Sequence, residues 1–162
     1  MAADLNNAIP GSYLDSCQPD PSQISGPVIN SVICQAPGVQ ALIYDQFGSS
    51  ADLQTSFAYA ITQISLANDT SARTGKCGLE NFAGIWNIAF TDGYKVTGPD
   101  FGLLCYLNNS GNAFIDQADP TTNVMVIAEI RAVGGDSATA RANLFTWWQN
   151  NETTVSDESR TP

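Results

Sequence analysis

Four cysteines, Cys17, Cys34, Cys77 and Cys105, are spread through a chain of 162 residues that contains no histidine. No two of them stand in CxxC spacing. Zinc sites built from four cysteines normally show close pairs, and sites that mix cysteine with histidine are impossible here. Two readings remain, two disulfides or four buried thiols, and the first is favoured. Three pairings are open. Cys17–Cys34 with Cys77–Cys105 is favoured because each bridge then brackets one half of the chain. Closing loops of that size stabilises a fold by about 3 kcal/mol each in the chain-entropy picture. A catalytic thiolate is disfavoured, since no imidazole exists to activate it. Structural disulfides form in oxidising compartments, so the expectation is an extracytoplasmic domain, secreted or on the outer face of a membrane.

The length suits a single domain with a real hydrophobic core. We expect one α+β domain over residues 1–151, with halves at about 5–67 and 76–151, and a polar tail at 152–162. Charged residues make up 14%, low against about 25% in ordinary globular proteins. The formal net charge is −10, and the six basic residues (Arg73, Lys76, Lys95, Arg131, Arg141 and Arg160) are scattered. Neutralising a phosphate backbone or an anionic bilayer needs clustered cations, so the expectation is no nucleic-acid partner and no membrane insertion by this segment, and anionic membrane surfaces are disfavoured. No apolar stretch approaches the 18 residues of a membrane span. Met1-Ala2-Ala3-Asp4 runs directly into polar sequence, without the pattern of a signal peptide. The expectation is that a signal or membrane segment lies outside this chain.

The chain opens on a short amphipathic turn, Leu5 to Pro10, followed by a Pro/Ser/Asp loop from Gln18 to Pro27. Val32-Ile33-Cys34 and Val39 to Tyr44 read as strands joined in a hairpin by Pro37-Gly38. Ser49 or Ser50 caps a helix in which Asp52 occupies the positive first turn. Leu53, Phe57, Ala60, Ile61 and Ile64 recur along it at helical spacing. The second half repeats the plan. Ile85 to Phe90, Gly102 to Tyr106, Ala113 to Ile115 and Asn123 to Ile130 read as strands. Gly134-Gly135 then breaks the chain, and Asp136 caps a helix from Ser137 to about Asn150. Ala140, Leu144, Trp147 and Trp148 face the core of that helix. Strand, strand, helix thus occurs twice, and the expected architecture is an antiparallel sheet with helices on one face.

The order of these marks resembles a known family. It comprises a cysteine after an N-terminal turn, a second on a strand, and the segment Tyr44-Asp45-Gln46-Phe47 entering a helix. A third cysteine, the Gly-x-x-Cys-Tyr strand Gly102 to Tyr106, and Trp147-Trp148 late in the last helix complete it. Over roughly residues 5 to 150 the chain looks like the extracytoplasmic C-terminal domains of bacterial transmembrane Ser/Thr protein kinases and related secreted proteins. The resemblance implies a disulfide-bonded, sensor-like α+β domain beyond the membrane. Where members of that family often carry a Trp, this chain has Ile115-Asp116, and no binding residue is carried over.

Without histidine, Ser-His-Asp and Cys-His mechanisms are excluded, as is the commonest metal ligand. Thr74-Gly75-Lys76-Cys77 imitates a phosphate loop but has Thr70 where the first glycine belongs and Cys in place of the Mg-binding hydroxyl. No GxGxxG occurs, and no cofactor or metal is implied. Asp116 and Asp119 form a candidate carboxylate pair for hydrolysis, or for a cation together with Asn123, against ordinary Asp-Pro turn chemistry at 119–120. Asn68, Asn108 and Asn151 match N-x-S/T at about the frequency that this composition produces by chance. Trp147 and Trp148 are about 100° apart on their helix, so both cannot point fully into the core. Trp86, Tyr94, Phe101 and Tyr106 mark the longer half, where a pocket is expected.

The leading expectation is a non-catalytic ligand-binding or sensing domain, with Trp86, Tyr94, Tyr106, Trp147 and Trp148 as candidate ligand contacts. Its partner would be an extracellular or cell-envelope ligand or a protein. The alternatives are a surface subunit that self-associates and a small hydrolase using Asp116 and Asp119.

Overall fold

A computed structural model describes residues 3–63, 77–85, 88–89 and 102–155. Two short helices, α1 (Ala3–Ala8) and α2 (Gly11–Leu14), precede strands β1 (Cys17–Pro19), β2 (Val28–Cys34) and β3 (Ala41–Phe47). Helix α3 (Ser50–Gln63) follows, then β4 (Phe82–Ile85), β5 (Ile88–Ala89), β6 (Gly102–Leu107), β7 (Ala113–Asp119) and β8 (Val124–Ile130). A 3-10 turn at Val133–Gly135 leads into α4 (Ser137–Val155). The described strands form one antiparallel sheet in the order β1-β2-β3-β8-β7-β6-β4-β5. The fold is α+β.

Both disulfides join the cysteines that the bracketing argument favoured, Cys17 with Cys34 and Cys77 with Cys105. Cys17 and Cys34 stand opposite each other in the β1–β2 ladder, so this bridge clips a three-residue edge strand to its neighbour. The second bridge ties the chain ahead of β4 to the middle of β6 and closes a separation of 28 residues.

Strand alternation sends side chains to the two faces of the sheet in turn, and both faces are apolar at the centre. On one face Leu42, Tyr44, Cys105, Ile115, Val126 and Ala128 meet Leu144, Trp147 and Trp148 of α4 and Leu5, Ile9 and Tyr13 from the N-terminal helices. On the other face Phe47, Leu104, Ala118 and Met125 meet Leu53, Phe57 and Ile61 of α3. The helices therefore divide between two faces, where the sequence reading placed them on one. Four-residue spacing explains both stripes: Leu53, Phe57 and Ile61 along α3, and Ala140, Leu144 and Trp148 along α4.

This division also bears on the two similar halves. Halves related about the antiparallel pair β3–β8 would be related by a twofold perpendicular to the sheet, which keeps every element on its own face, so α3 and α4 would have to share one. The helices lie on opposite faces, so strand-strand-helix recurs in order along the chain without recurring as one symmetric unit.

Other segments differ in detail. The stretch read as one strand from Ile85 to Phe90 holds parts of two strands, because Ile85 pairs with Ile88 and Gly84 with Ala89 in antiparallel register. Tyr44 to Phe47 completes β3 and leads into α3 at Ser50. α4 continues to Val155, into the segment read as a tail.

The helix starts follow their sequence signals. Ser49 Oγ accepts the Asp52 amide at 3.1 Å and donates to the Asp52 carboxylate at 2.7 Å, which caps α3. The Asp136 carboxylate accepts the Thr139 amide at 3.0 Å ahead of α4. Hydrogen bonds from Thr139 hold the Asp136 carboxyl below its ordinary range.

Candidate functional site

The adjacent tryptophans take different environments. Trp148 is fully buried under the sheet. Trp147 lies at the edge of the same core, with its ring 6.5 Å from that of Trp148 and tilted by 55°. Its indole N–H donates to the Pro37 carbonyl at 2.8 Å, which fastens α4 to the turn between β2 and β3.

Gly38 makes this contact possible. Its φ of 93° lies in the left-handed region, and a Cβ there would sit 2.9 Å from Cδ1 of Trp147. A Gly38→Ala variant must adopt a disfavoured backbone and also displace the indole. We expect it to lose roughly 2 kcal/mol, measured by urea unfolding, with a changed Trp emission spectrum. Wild-type stability in that variant would show that the turn does not rest on Trp147.

Trp147 borders a groove of about 680 Å³ between α4 and the β2–β3 turn, lined also by Gly38, Gln40, Arg131, Asn143 and Asn150. A second groove of about 650 Å³ continues past the same turn along β2, lined by Gln18, Ile33, Gln35, Val39 and Gln40. Gln40 belongs to both and is held in place: its amide donates to the Glu129 carbonyl at 2.9 Å, and its side-chain oxygen accepts the Arg131 amide at 2.8 Å. The first groove combines one aromatic edge with carboxamide and hydroxyl groups, an arrangement suited to orienting a polar ligand by hydrogen bonds.

The opposite face carries different chemistry. Tyr106 stacks on Phe114, with centroids 5.2 Å apart and planes within 12°. It shares that face with Asp116, so the sheet separates Tyr106 from the two tryptophans. Trp86, Tyr94 and Phe101 lie outside the described residues. Among the described aromatics, Tyr106 is thus not brought together with Trp147 and Trp148.

Asp116 and Asp119 do not converge. Three positions apart on β7, they project from opposite faces. The Asp119 carboxylate is occupied by the turn that follows, accepting the Thr121 amide at 2.8 Å and the Thr121 and Thr122 hydroxyls at 2.6 and 2.7 Å. Asn123 closes that turn with φ at 57°. The proposed hydrolytic or cation-binding pair is therefore absent.

Asp116 instead shares its face with Asp45, which sequence reasoning passed over. Both are nearly inaccessible, at 3% and 4% exposure. Burial pushes the Asp116 carboxyl up to about 7, against the Tyr106 hydroxyl, and the nearby Asp45 charge adds to the rise. Burial pushes Asp45 up to about 6, with Ser31 tempering the rise and Asp20 adding to it. Tyr106 is itself pushed up, by burial and then by Asp116. The available signal for Asp45 was its place inside an apolar strand that is covered on both faces. Among the described residues, no group of three or more Cys, Asp or Glu side chains forms a metal site. No helix among them is long and apolar enough to cross a membrane.

No family model, curated protein or solved structure matches this chain.

Proposed function

We propose that this domain is a non-catalytic, extracytoplasmic binding or sensing module. Its ligand surface is the groove between α4 and the β2–β3 turn. The observation that carries this reading is the groove itself, about 680 Å³, built on a turn that Trp147 and Gln40 fasten to α4 and β8. Two disulfides support an oxidising compartment. The resemblance to ectodomains of bacterial Ser/Thr kinases supports a role in reporting occupancy to a membrane partner.

Thermal unfolding in the presence of soluble peptidoglycan fragments, envelope glycans and peptides tests the assignment. A ligand at about 100 times its Kd is expected to add about 2.7 kcal/mol of stability. Asn143→Trp, which fills the groove, is expected to abolish the shift. A shift of unchanged size in Asn143→Trp would rule out this groove.

One observation favours a second reading, self-association at a surface. Ile24, Ile29 and Ile33, exposed by 47%, 51% and 37%, lie on or beside β2 near the β1 edge. Size measurement across concentration decides it, because a strictly monomeric domain removes this reading.

A further inference from the structure

Three buried oxygens on the α3-bearing face have no hydrogen-bond partner: Ser31 Oγ, Asp45 Oδ1 and Asp116 Oδ1. Ser31 and Asp45 stand directly opposite each other in the β2–β3 ladder. Asp116 lies two strands from Asp45, across β8, with the Tyr106 hydroxyl against its carboxylate. Ionised carboxylates only accept hydrogen bonds, so an ionised Asp45 can offer nothing to another acceptor. The Ser31 hydroxyl can donate to an ionised Asp45 as well as accept from a protonated one, and it tempers the rise at Asp45 without cancelling it. Burial outweighs that contact at carboxyls only 3% and 4% exposed, so adding protons removes two desolvated like charges from this face.

Among the described residues, little else neutralises the pair. Asp20 acts on Asp45 from the β1–β2 connection, and Glu129 of β8 acts on Tyr106. Asp52 of α3 is engaged with Ser49. Among the described residues, Arg131 pairs with Glu129 at 3.7 Å, and Arg141 of α4 donates to Asn81 at 2.9 Å. Neither reaches the buried carboxyls.

Position gives the pair its consequence. Phe47, two residues beyond Asp45, and Ala118, two beyond Asp116, project from the same face and belong to the patch on which α3 rests. We propose that Asp45 and Asp116 form a proton-operated latch beneath α3, which seats firmly while both carboxyls hold their protons and loosens when they ionise. The compartment assigned above, exposed to external acidity, gives such a latch something to report.

Amide hydrogen exchange of α3 tests the latch. Corrected for intrinsic rates, protection of the amides from Leu53 to Ile61 is expected to fall about tenfold or more between about pH 5 and about pH 8. In the double variant D45N/D116N it is expected to stay level. An equal fall in both proteins, or none in the wild type, overturns the proposal. If the double variant does not fold, the single variants D45N and D116N serve, each expected to lose part of the pH response. An unchanged response in both would overturn the latch. A third arm adds millimolar Ca²⁺ or Mg²⁺ at about pH 8. Recovery of protection in wild type but not in D45N would make the pair a cation site and overturn the proton reading, whereas no recovery supports it. None of these readouts uses the groove, so failure here and failure of the groove assignment are distinguishable.

Discussion

Breaking both disulfides is expected to bring the domain to the edge of unfolding. In the chain-entropy picture, closing separations of 17 and 28 residues restricts the unfolded chain by about 3 and about 3.5 kcal/mol respectively. Together these, about 6.5 kcal/mol, fall in the lower part of the roughly 5–15 kcal/mol that typical domains possess in all. Urea unfolding of the paired variants Cys17→Ser/Cys34→Ser and Cys77→Ser/Cys105→Ser measures each bridge while leaving no single free thiol. The second pair is expected to cost more. Its loop is longer, and both of its cysteines are buried in the core cluster, whereas in the first bridge only Cys34 is, Cys17 being partly buried on an edge strand. Losses below about 1 kcal/mol in both paired variants would mean that the core alone carries the fold.

The buried acids predict a stability that runs opposite to ordinary acid denaturation. A carboxyl whose folded value is raised binds protons more tightly in the folded state. Its stabilising contribution is complete below the unfolded value and disappears as pH rises through the folded one. For Asp116 the window runs from the ordinary 3.8 to about 7, and for Asp45 from 3.8 to about 6. Stability is therefore expected to decline between about pH 4 and about pH 7, with Asp116 alone responsible for roughly 3–4 kcal/mol. Asp116→Asn removes the ionisation while keeping the shape. At about pH 8 it is expected to be more stable than wild type by roughly 2 kcal/mol, allowing for imperfect hydrogen bonding of the amide. Near pH 4 the advantage should vanish. Denaturant unfolding of both proteins across this range checks the sign, and a wild-type stability that rises from pH 4 to pH 7 would refute it.

The legible parts of this fold were those in which one local rule acts alone. Ser49 with Asp52, and Asp136 with Thr139, cap their helices because short polar side chains reach the first free amides. Pro37-Gly38 turns the chain because glycine accepts a left-handed φ. Gly102 to Tyr106 is strand, as its apolar run suggested. Edge strand β1 was read as loop, since three residues between prolines and serines carry no periodicity. The stretch from Ile85 to Ala89 was read as one strand because it contains neither Gly nor Pro to separate β4 from β5.

The site was less legible than the fold, for a related reason. Asp116 and Asp119 are close in sequence, yet odd spacing on a strand puts them on opposite faces. Asp116 and Asp45 are 71 positions apart, yet the order β3-β8-β7 places one strand between them. Trp147 became a groove residue through its bond to Pro37, 110 positions away.

The four cysteines show the boundary most plainly. Their number, their spacing and the absence of histidine were enough to argue for two bridges and an oxidising compartment, because those conclusions rest on chemistry that each residue carries with it. Sequence also marked both long helices, since periodicity and caps are local. Tertiary structure alone decided which face each helix covers, because either face of a doubly apolar sheet satisfies the same stripe of side chains. It alone also brought two aspartates together out of reach of water, where a carboxyl's charge state is set by its surroundings rather than by its neighbours along the chain.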